Sequence, residues 1–465
     1  MSKITNVRLP DAGAQYNQQQ FNQLVRSLEQ VILQLNSTYT PVSSENTQAA
    51  LSWFEAGGGQ CEMNSGSSTP VSIGGTNTDA FGRLRVSQPY TIFDSQNRYA
   101  IDNQFDSSTT GGGAVTYLLN ESSVQLGVGT ASGDQVIRQT YRVFPYQPGK
   151  GLLVLATFTM GTAKSNLRQR VGYFNTQNGV FLQRSSSTIS FVLRTYTSGA
   201  ATETTVNQAD WNGDKLDGTG PSGITLDLSK SEILWMDFEW LGLGNVRTGF
   251  VINGEYIVCH TFQTANVGTK VYMTTAILPV RYEITNIDVT ASSSTLIQVC
   301  SSVISEGGYE QSSVGHVASM TSATTSSAIT TSYEPLVSIR LASTALNAVV
   351  IPTDVDFLPT TSDNYQVSLI KNATLTGASW AASSSDANVE VDIASTSLTG
   401  GTVVYSTFTT GKSGRVPITS GSPYNWDLQL GSTISGTSDI YTLAARTITG
   451  SGGGIGAVSF YDLTQ

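Results

Sequence analysis

Apolar and polar residues alternate with two different periods along this chain, and the change falls near residue 40. Phe21, Leu24, Leu28, Val31 and Leu35 are spaced 3, 4, 3 and 4. That spacing puts them on one helical stripe of the a/d kind, widened by Val25 and Ile32, and predicts an amphipathic helix. The stripe spans only about two heptads, too few to hold a coiled coil unaided. It is expected either to pack on its own domain or to meet further copies of itself.

After Tyr39-Thr40-Pro41 the period becomes two. Ile189, Phe191 and Leu193 point one way and Ser190, Val192 and Arg194 the other, as in a strand with one face on a core. In Ile233–Trp240 the residues Leu234, Met236, Phe238 and Trp240 form a similar apolar face. Asn253-Gly254 lies between Gly249–Ile252 and Glu255–Val258. Both residues of that pair tolerate positive φ, so a two-residue type I′ hairpin is expected.

Further strands are expected at 336–341, 347–351, 365–370, 389–393, 402–408, 440–445 and 457–461. The glycine-rich tract 450–456 before the last of them reads as a flexible stretch or a tight bend in a sheet. The fold expected is mainly β: two sandwich or jelly-roll-like domains preceded by a short amphipathic helix. The boundaries expected are 1–44 for the helix, 45–298 for the first sandwich, 299–332 for a Ser/Thr-rich connection and 333–465 for a smaller second β domain. No fixed-period repeat suggests a solenoid or propeller.

Composition narrows the partners. Only 12% of residues are charged, the net charge is −10, and glycine, with 45 residues, is abundant. A phosphate backbone needs clustered Lys and Arg, so nucleic acid is not an expected partner. The apolar runs, such as Leu152–Ala156, are too short to span a bilayer, and the start MSKITNVRLP lacks the features of a secretory signal. A soluble protein made in a reducing cytoplasm is expected. Cys61, Cys259 and Cys300 are too far apart for a paired metal motif and odd in number, so they read as ordinary thiols.

Four groups of residues could carry chemistry. Asp237 and Glu239 lie two apart on one strand, hence on one face, near the separation used by retaining glycosidases. The segment resembles the acidic strand of concanavalin-like glucanases, in which a nucleophilic Glu precedes the Asp by two residues; here that position is Trp235. An acidic face beside an aromatic core is the expectation. Asp210, Asn212, Asp214 and Asp217 open like a calcium loop, but the twelfth position is Pro221, where a bidentate Glu is needed, so an Asx-turn loop is expected there. His260 and His316 are the only histidines. His260 adjoins Cys259, and strand alternation sends those two side chains to opposite faces. The glycine run 111–113 lacks the Gly-Lys-Ser/Thr phosphate cradle and reads as a turn. Trp211, Tyr173 and Trp380 are candidate platforms for sugar rings, against the more ordinary role of core aromatics. No cofactor is expected, and no residue set is good enough to expect an enzyme.

Three segments carry a family likeness: ITNVRLPDAGAQYNQQQFNQLVRSLEQVILQLNSTY, GGTNTDAFGRLRVSQPYTIFDSQNRY and QADWNGDKLDGTGPSGITLDLSKSEILWMDFEWLGLGNVRTGFVINGEY. They resemble virion structural proteins of tailed bacteriophages, especially phages of marine bacteria. The resemblance implies location in a virion, as a head fibre or capsid decoration, with other virion proteins as partners. Phage fibres and spikes are frequently trimers, so a homotrimer held by the Phe21, Leu24, Leu28, Val31 and Leu35 stripe is the expected assembly. Two alternatives stand beside it: a tail fibre that recognises host surface glycan, and a glycan-cleaving enzyme of concanavalin-like type.

Overall fold

The computed structural model describes residues 21–22, 24–26, 28–29, 89–310, 315–321, 326–384, 388–410, 414–417 and 426–464. Residues up to Gly74 form one compact unit and those from Gly75 another. In the first unit Phe21, Leu24, Val25 and Leu28 are helical as the stripe predicts. Val31, Ile32 and Leu35 lie outside the described residues.

The second unit is built from antiparallel β-sheets. Its first sandwich pairs two sheets across one core. One sheet runs in the order Glu255–Phe262, Val246–Ile252, Glu232–Phe238, Gly151–Met160, Ser294–Glu306, Ser123–Val128, Ala114–Leu118, with Pro89–Gln96 added on Ser294–Glu306. The other runs Thr202–Asn207, Thr188–Thr195, Gly179–Ser185, Leu167–Phe174, Val280–Asn286, Gln135–Thr140, Phe105–Thr110. The core between them takes the alternate residues that the period predicts. Leu234, Met236 and Phe238 from the first sheet meet Val171, Tyr173, Phe191 and Tyr282 from the second. Trp240 falls beyond the end of its strand and packs edge-on against Tyr146, 6.0 Å between centroids. The Asn253-Gly254 turn joins its two strands with φ of 54° and 84°, the type I′ geometry expected of that pair.

The first boundary needs correction. The strand Ser294–Glu306 runs through residue 298. Its pairing with Gly151–Met160 shifts register between Gln298 and Ser301, and this bulge breaks the period-two pattern at the expected boundary of 298. The Ser/Thr-rich stretch 299–332 is likewise more than a connection: Gly315–Ser319 and Ser326–Ile329 both pair with the final strand.

The second sandwich has one sheet ordered Gly315–Ser319, Gly452–Asp462, Val350–Pro359, Gly414–Pro417. The other is ordered Ala381–Ala382, Val389–Asp392, Glu334–Leu341, Ile440–Thr447, Asn364–Lys371, Thr402–Thr410. Most of the glycine tract is strand, from Gly452 onward. The reason is packing: Gly454 lies beneath the Phe357 ring, which sits edge-to-face on Tyr365 at 5.1 Å. A side chain there would occupy the space the ring needs.

The two sandwiches are docked along a shared seam, since Val349, Ile351, Trp426 and Leu463 belong to the core cluster of the first. Hydrogen bonds cross the same seam. The Gln429 amide donates to Val143 O at 2.8 Å, Ser432 N to Tyr141 O at 2.9 Å and Ile434 N to Asp106 Oδ2 at 2.7 Å. Apolar contact and hydrogen bonds from backbone and side chains together couple the two sandwiches into one body.

Candidate functional site

Asp237 is fully buried and its carboxylate pairs with the Arg247 guanidinium on the neighbouring strand. Glu239 lies past the strand end and accepts from Asn245 N at 3.4 Å. Asp237 is sealed within the sheet, where it cannot reach a sugar as a nucleophile or general base must. The two carboxylates therefore do not form a matched pair over an open groove.

The acidic loop is pinned by its own hydrogen bonds. Asp214 accepts from Leu216 N at 2.9 Å and Ser222 N at 2.7 Å, Asp217 from Thr219 N at 2.9 Å, and Asn212 from Thr261 N at 2.8 Å. The Asp214–Leu216 and Asp217–Thr219 bonds are Asx turns, as the sequence predicts, and the oxygens turn toward N–H donors instead of converging. Asp210 is exposed at the loop's start. Among the described residues no group of three or more His, Cys, Asp or Glu side chains is placed to hold a metal ion.

The expected opposition of Cys259 and His260 does not hold: a register shift between Thr248 and Gly249 interrupts the alternation, both residues are buried, and His260, opposite Thr248, packs edge-on against Phe262 at 4.6 Å while its Nδ1 accepts from Asn212 N at 3.4 Å. Burial lowers the His260 pKa and keeps the ring neutral. The sugar-platform expectation is overturned at two of its three residues. Trp211 stacks on Phe191 in the core at 4.7 Å, and Tyr173 is fully buried with its hydroxyl donating toward Phe144 O and Ala276 O. Long side chains with one polar atom were buried because that atom found a backbone carbonyl. Trp380 is half-buried with the Arg340 guanidinium 4.2 Å above its ring.

A charged layer that the sequence reading missed covers the outer face of the second sheet. Arg168, Arg170, Phe174, Phe181, Val192, Arg194, Arg281 and Glu283 all sit on the face opposite the core residues of their strands. Phe174, Phe181 and Val192 form a separate buried cluster there. Gly172 makes room for it, because a Cβ would lie 2.6 Å from Phe181 Cα. Guanidinium groups lie over the rings: Arg170 and Arg194 over Phe181 at 5.0 and 4.9 Å, and Arg281 over Phe174 at 5.4 Å.

Two glutamates tie the arginines together. Glu203 lies 2.6 Å from Arg194 and 3.4 Å from Arg170; Glu283 lies 2.8 Å from Arg281, 3.4 Å from Arg168 and 3.7 Å from Arg170. Burial, reinforced by the charge of Arg168, lowers the Arg170 pKa to about 10 against the pull of the two glutamates. Burial alone would raise the Glu283 pKa, but Arg281, Arg170 and Arg168 outweigh it and hold the carboxyl below its ordinary value. Remaining N–H groups find acceptors within the layer, Arg170 Nε on Gln183 at 2.7 Å and Arg194 Nη1 on Asn175 O at 2.6 Å. The layer is a structural lattice of cations on aromatic rings. Its signal in the sequence was the i, i+2 pattern of Arg168-Gln169-Arg170 and Arg281-Tyr282-Glu283, which puts like and unlike charges on one strand face.

A cleft of about 530 Å³ lies where the two sandwiches meet. Tyr141 and Arg142 line it from the first sandwich, and Lys371, Thr402, Asp427 and Tyr441 are among the residues from the second. Arg142 is held there by Trp426 O, the Gln104 side chain and the Phe93 ring, 5.3 Å below its guanidinium. No sequence pattern announces such a site, because its walls come from strands some 300 residues apart.

No family model matches the chain, and no curated protein matches it. Solved structures share part of its architecture. A protein of unknown function from Shewanella oneidensis is 11% identical with a TM-score of 0.33, over 49% of this chain and 90% of that one. The carbohydrate recognition domain of Emp47p is 8% identical at 0.30, over 47% and 97%. A β-glucanase of Bacillus licheniformis is 8% identical at 0.30, over 46% and 96%. At these values no role passes from them to this chain.

Proposed function

We propose that the chain is a structural component of a tailed-bacteriophage particle, a surface appendage of head-fibre or capsid-decoration type that assembles as a homo-oligomer. The observation that carries the assembly part is the helical stripe: Phe21 and Leu28 are about half exposed, at 50% and 47%, and Val25 is exposed beside them. Apolar side chains on one helix face in such numbers are costly in water and are relieved when copies bury them together. The edge strand Thr402–Thr410 supports the same reading. It carries no charge, Phe408 on it is 68% exposed, and among the described residues no strand pairs with its outer edge. Solitary proteins usually blunt such an edge with Lys, Pro or a short length. The particle part rests on the resemblance of the three sequence segments to virion proteins.

The test is co-sedimentation of purified chain with tailed-phage capsids that lack it. The full chain is expected to pellet with capsids, and a chain without residues 1–44 to remain in the supernatant. Equal binding by the shortened chain would remove the helix from the account, and no binding by the full chain would remove the decoration role.

A further inference from the structure

The pair Asn-Gly occurs at 178–179, 212–213 and 253–254. An asparagine deamidates most readily in this pairing, because glycine sets no side chain against the backbone nitrogen that attacks. Two freedoms are needed. The side-chain amide must be open to the next residue's nitrogen, and that nitrogen must be released from any hydrogen bond of its own. The fold grants them unequally.

Asn178 is fully buried. Its Oδ1 accepts from Thr274 N at 3.0 Å and Tyr196 N at 3.2 Å, its Nδ2 donates to Thr274 Oγ1 at 2.7 Å, and Gly179 is locked in a strand. Asn212 is exposed, yet its amide is pinned to the edge strand Glu255–Phe262. There Oδ1 accepts from Thr261 N at 2.8 Å, Nδ2 donates to Thr261 O at 2.9 Å, and Gly213 N donates to Cys259 O at 2.9 Å. Reaction at either place waits for a local opening that breaks several bonds together.

Asn253 and Gly254 are both exposed at the tip of their hairpin, whose register is held outside the turn by Ile252 opposite Glu255. Among the described residues neither the Asn253 amide nor the Gly254 N–H makes a hydrogen bond. Space separates the three sites in the same order. A Cβ built on Gly254 meets nothing within 4 Å, whereas on Gly213 it would strike Val258 O and on Gly179 the Phe174 side chain.

We propose that the folded chain deamidates at Asn253 and is protected at Asn178 and Asn212. Gly254 N attacks Asn253 Cγ. The new N–C bond forms as the Cγ–Nδ2 bond breaks, and ammonia leaves with the proton lost by the backbone amide. Water then opens the cyclic imide at either carbonyl, giving aspartate or isoaspartate, with no change of oxidation state. Isoaspartate puts one more carbon into the backbone of a turn that admits only two residues, so the hairpin at the edge of the first sheet is loosened. Either product adds a carboxylate near the exposed Glu255 of a chain already at −10. The inference is independent of the particle assignment.

The test is peptide mapping by mass spectrometry of the full chain held in mildly alkaline buffer, folded and in urea, with isoaspartate located by electron-transfer fragmentation. In the folded chain Asn253 is expected to convert at least about 10-fold faster than Asn212 or Asn178, which must first break two or more hydrogen bonds. In urea the three rates should converge, since the sequence around the reacting bond is the same. Asn253→Gln, whose longer side chain closes a less favourable ring, should leave no conversion at that position. Asn212 or Asn178 reacting as fast as Asn253 in the folded chain would overturn the proposal. So would an Asn253 that converts in urea but not when folded, or one that yields aspartate without isoaspartate, the mark of direct hydrolysis.

Discussion

Glu283→Gln is expected to lower the melting temperature by roughly 10 °C near neutral pH. Glu283 is 3% exposed and is the carboxylate within reach of three arginines, so the amide leaves Arg170 and Arg281 buried against each other with only Glu203 to balance them. Breaking a buried ion pair from one side costs about 3–5 kcal/mol, and in a domain of this size each kcal/mol moves the midpoint by about 2–4 °C. The dependence on pH has a definite sign. The folded-state pKa of Glu283 is lowered beneath the ordinary 4.5, so its stabilisation is fully present above that value. It is lost as pH falls through the lowered folded value. Melting curves of the two proteins should therefore lie far apart at pH 7 and converge in strong acid. A constant gap at all pH values would mean that packing, and not charge, distinguishes them.

Gly454→Val should disrupt the second sandwich through a single clash. A Cβ at this position falls 2.5 Å from Cζ of Phe357, and nearer still to Cε2, while Leu358 O stands 3.3 Å away. Phe357 is 4% exposed and braced on Tyr365, so it has little room to yield. Overpacking of this kind costs about 1–3 kcal/mol. Because the cost belongs to a pair of residues, Phe357→Leu in the same chain should recover part of it, and the two substitutions should be non-additive in denaturant unfolding. Strict additivity would place the damage elsewhere on the strand.

These two sites also show what could be read from the chain. Period-two alternation marked the strands around Phe191, Leu234 and Tyr365 because each has one face on a core, and Asn253-Gly254 marked its hairpin because few other pairs tolerate positive φ twice. The Asx turns at Asp214 and Asp217 were legible for a similar local reason. The second faces were not. Ser190, Val192 and Arg194 look like a solvent face, yet all three are buried, because Phe174 and Phe181 on neighbouring strands carry a layer of arginines over them. That layer depends on register between strands distant in sequence, which no local pattern encodes. The bulge at 299–300 hid a strand, and the glycines at 452–456 looked flexible because the rings that require them lie some 90 residues earlier. The cleft shares this origin, since Arg142 and Tyr441 become neighbours only through docking.

The account turns on copies of the chain being held together by the helical stripe that begins at Phe21. Light scattering on the purified full chain measures this directly. The account predicts a mass of about three chains that falls to a single chain in the double variant Phe21→Ser, Leu28→Ser, with the β-sheet circular dichroism unchanged. A full-length protein that is already a single chain at micromolar concentration would contradict it.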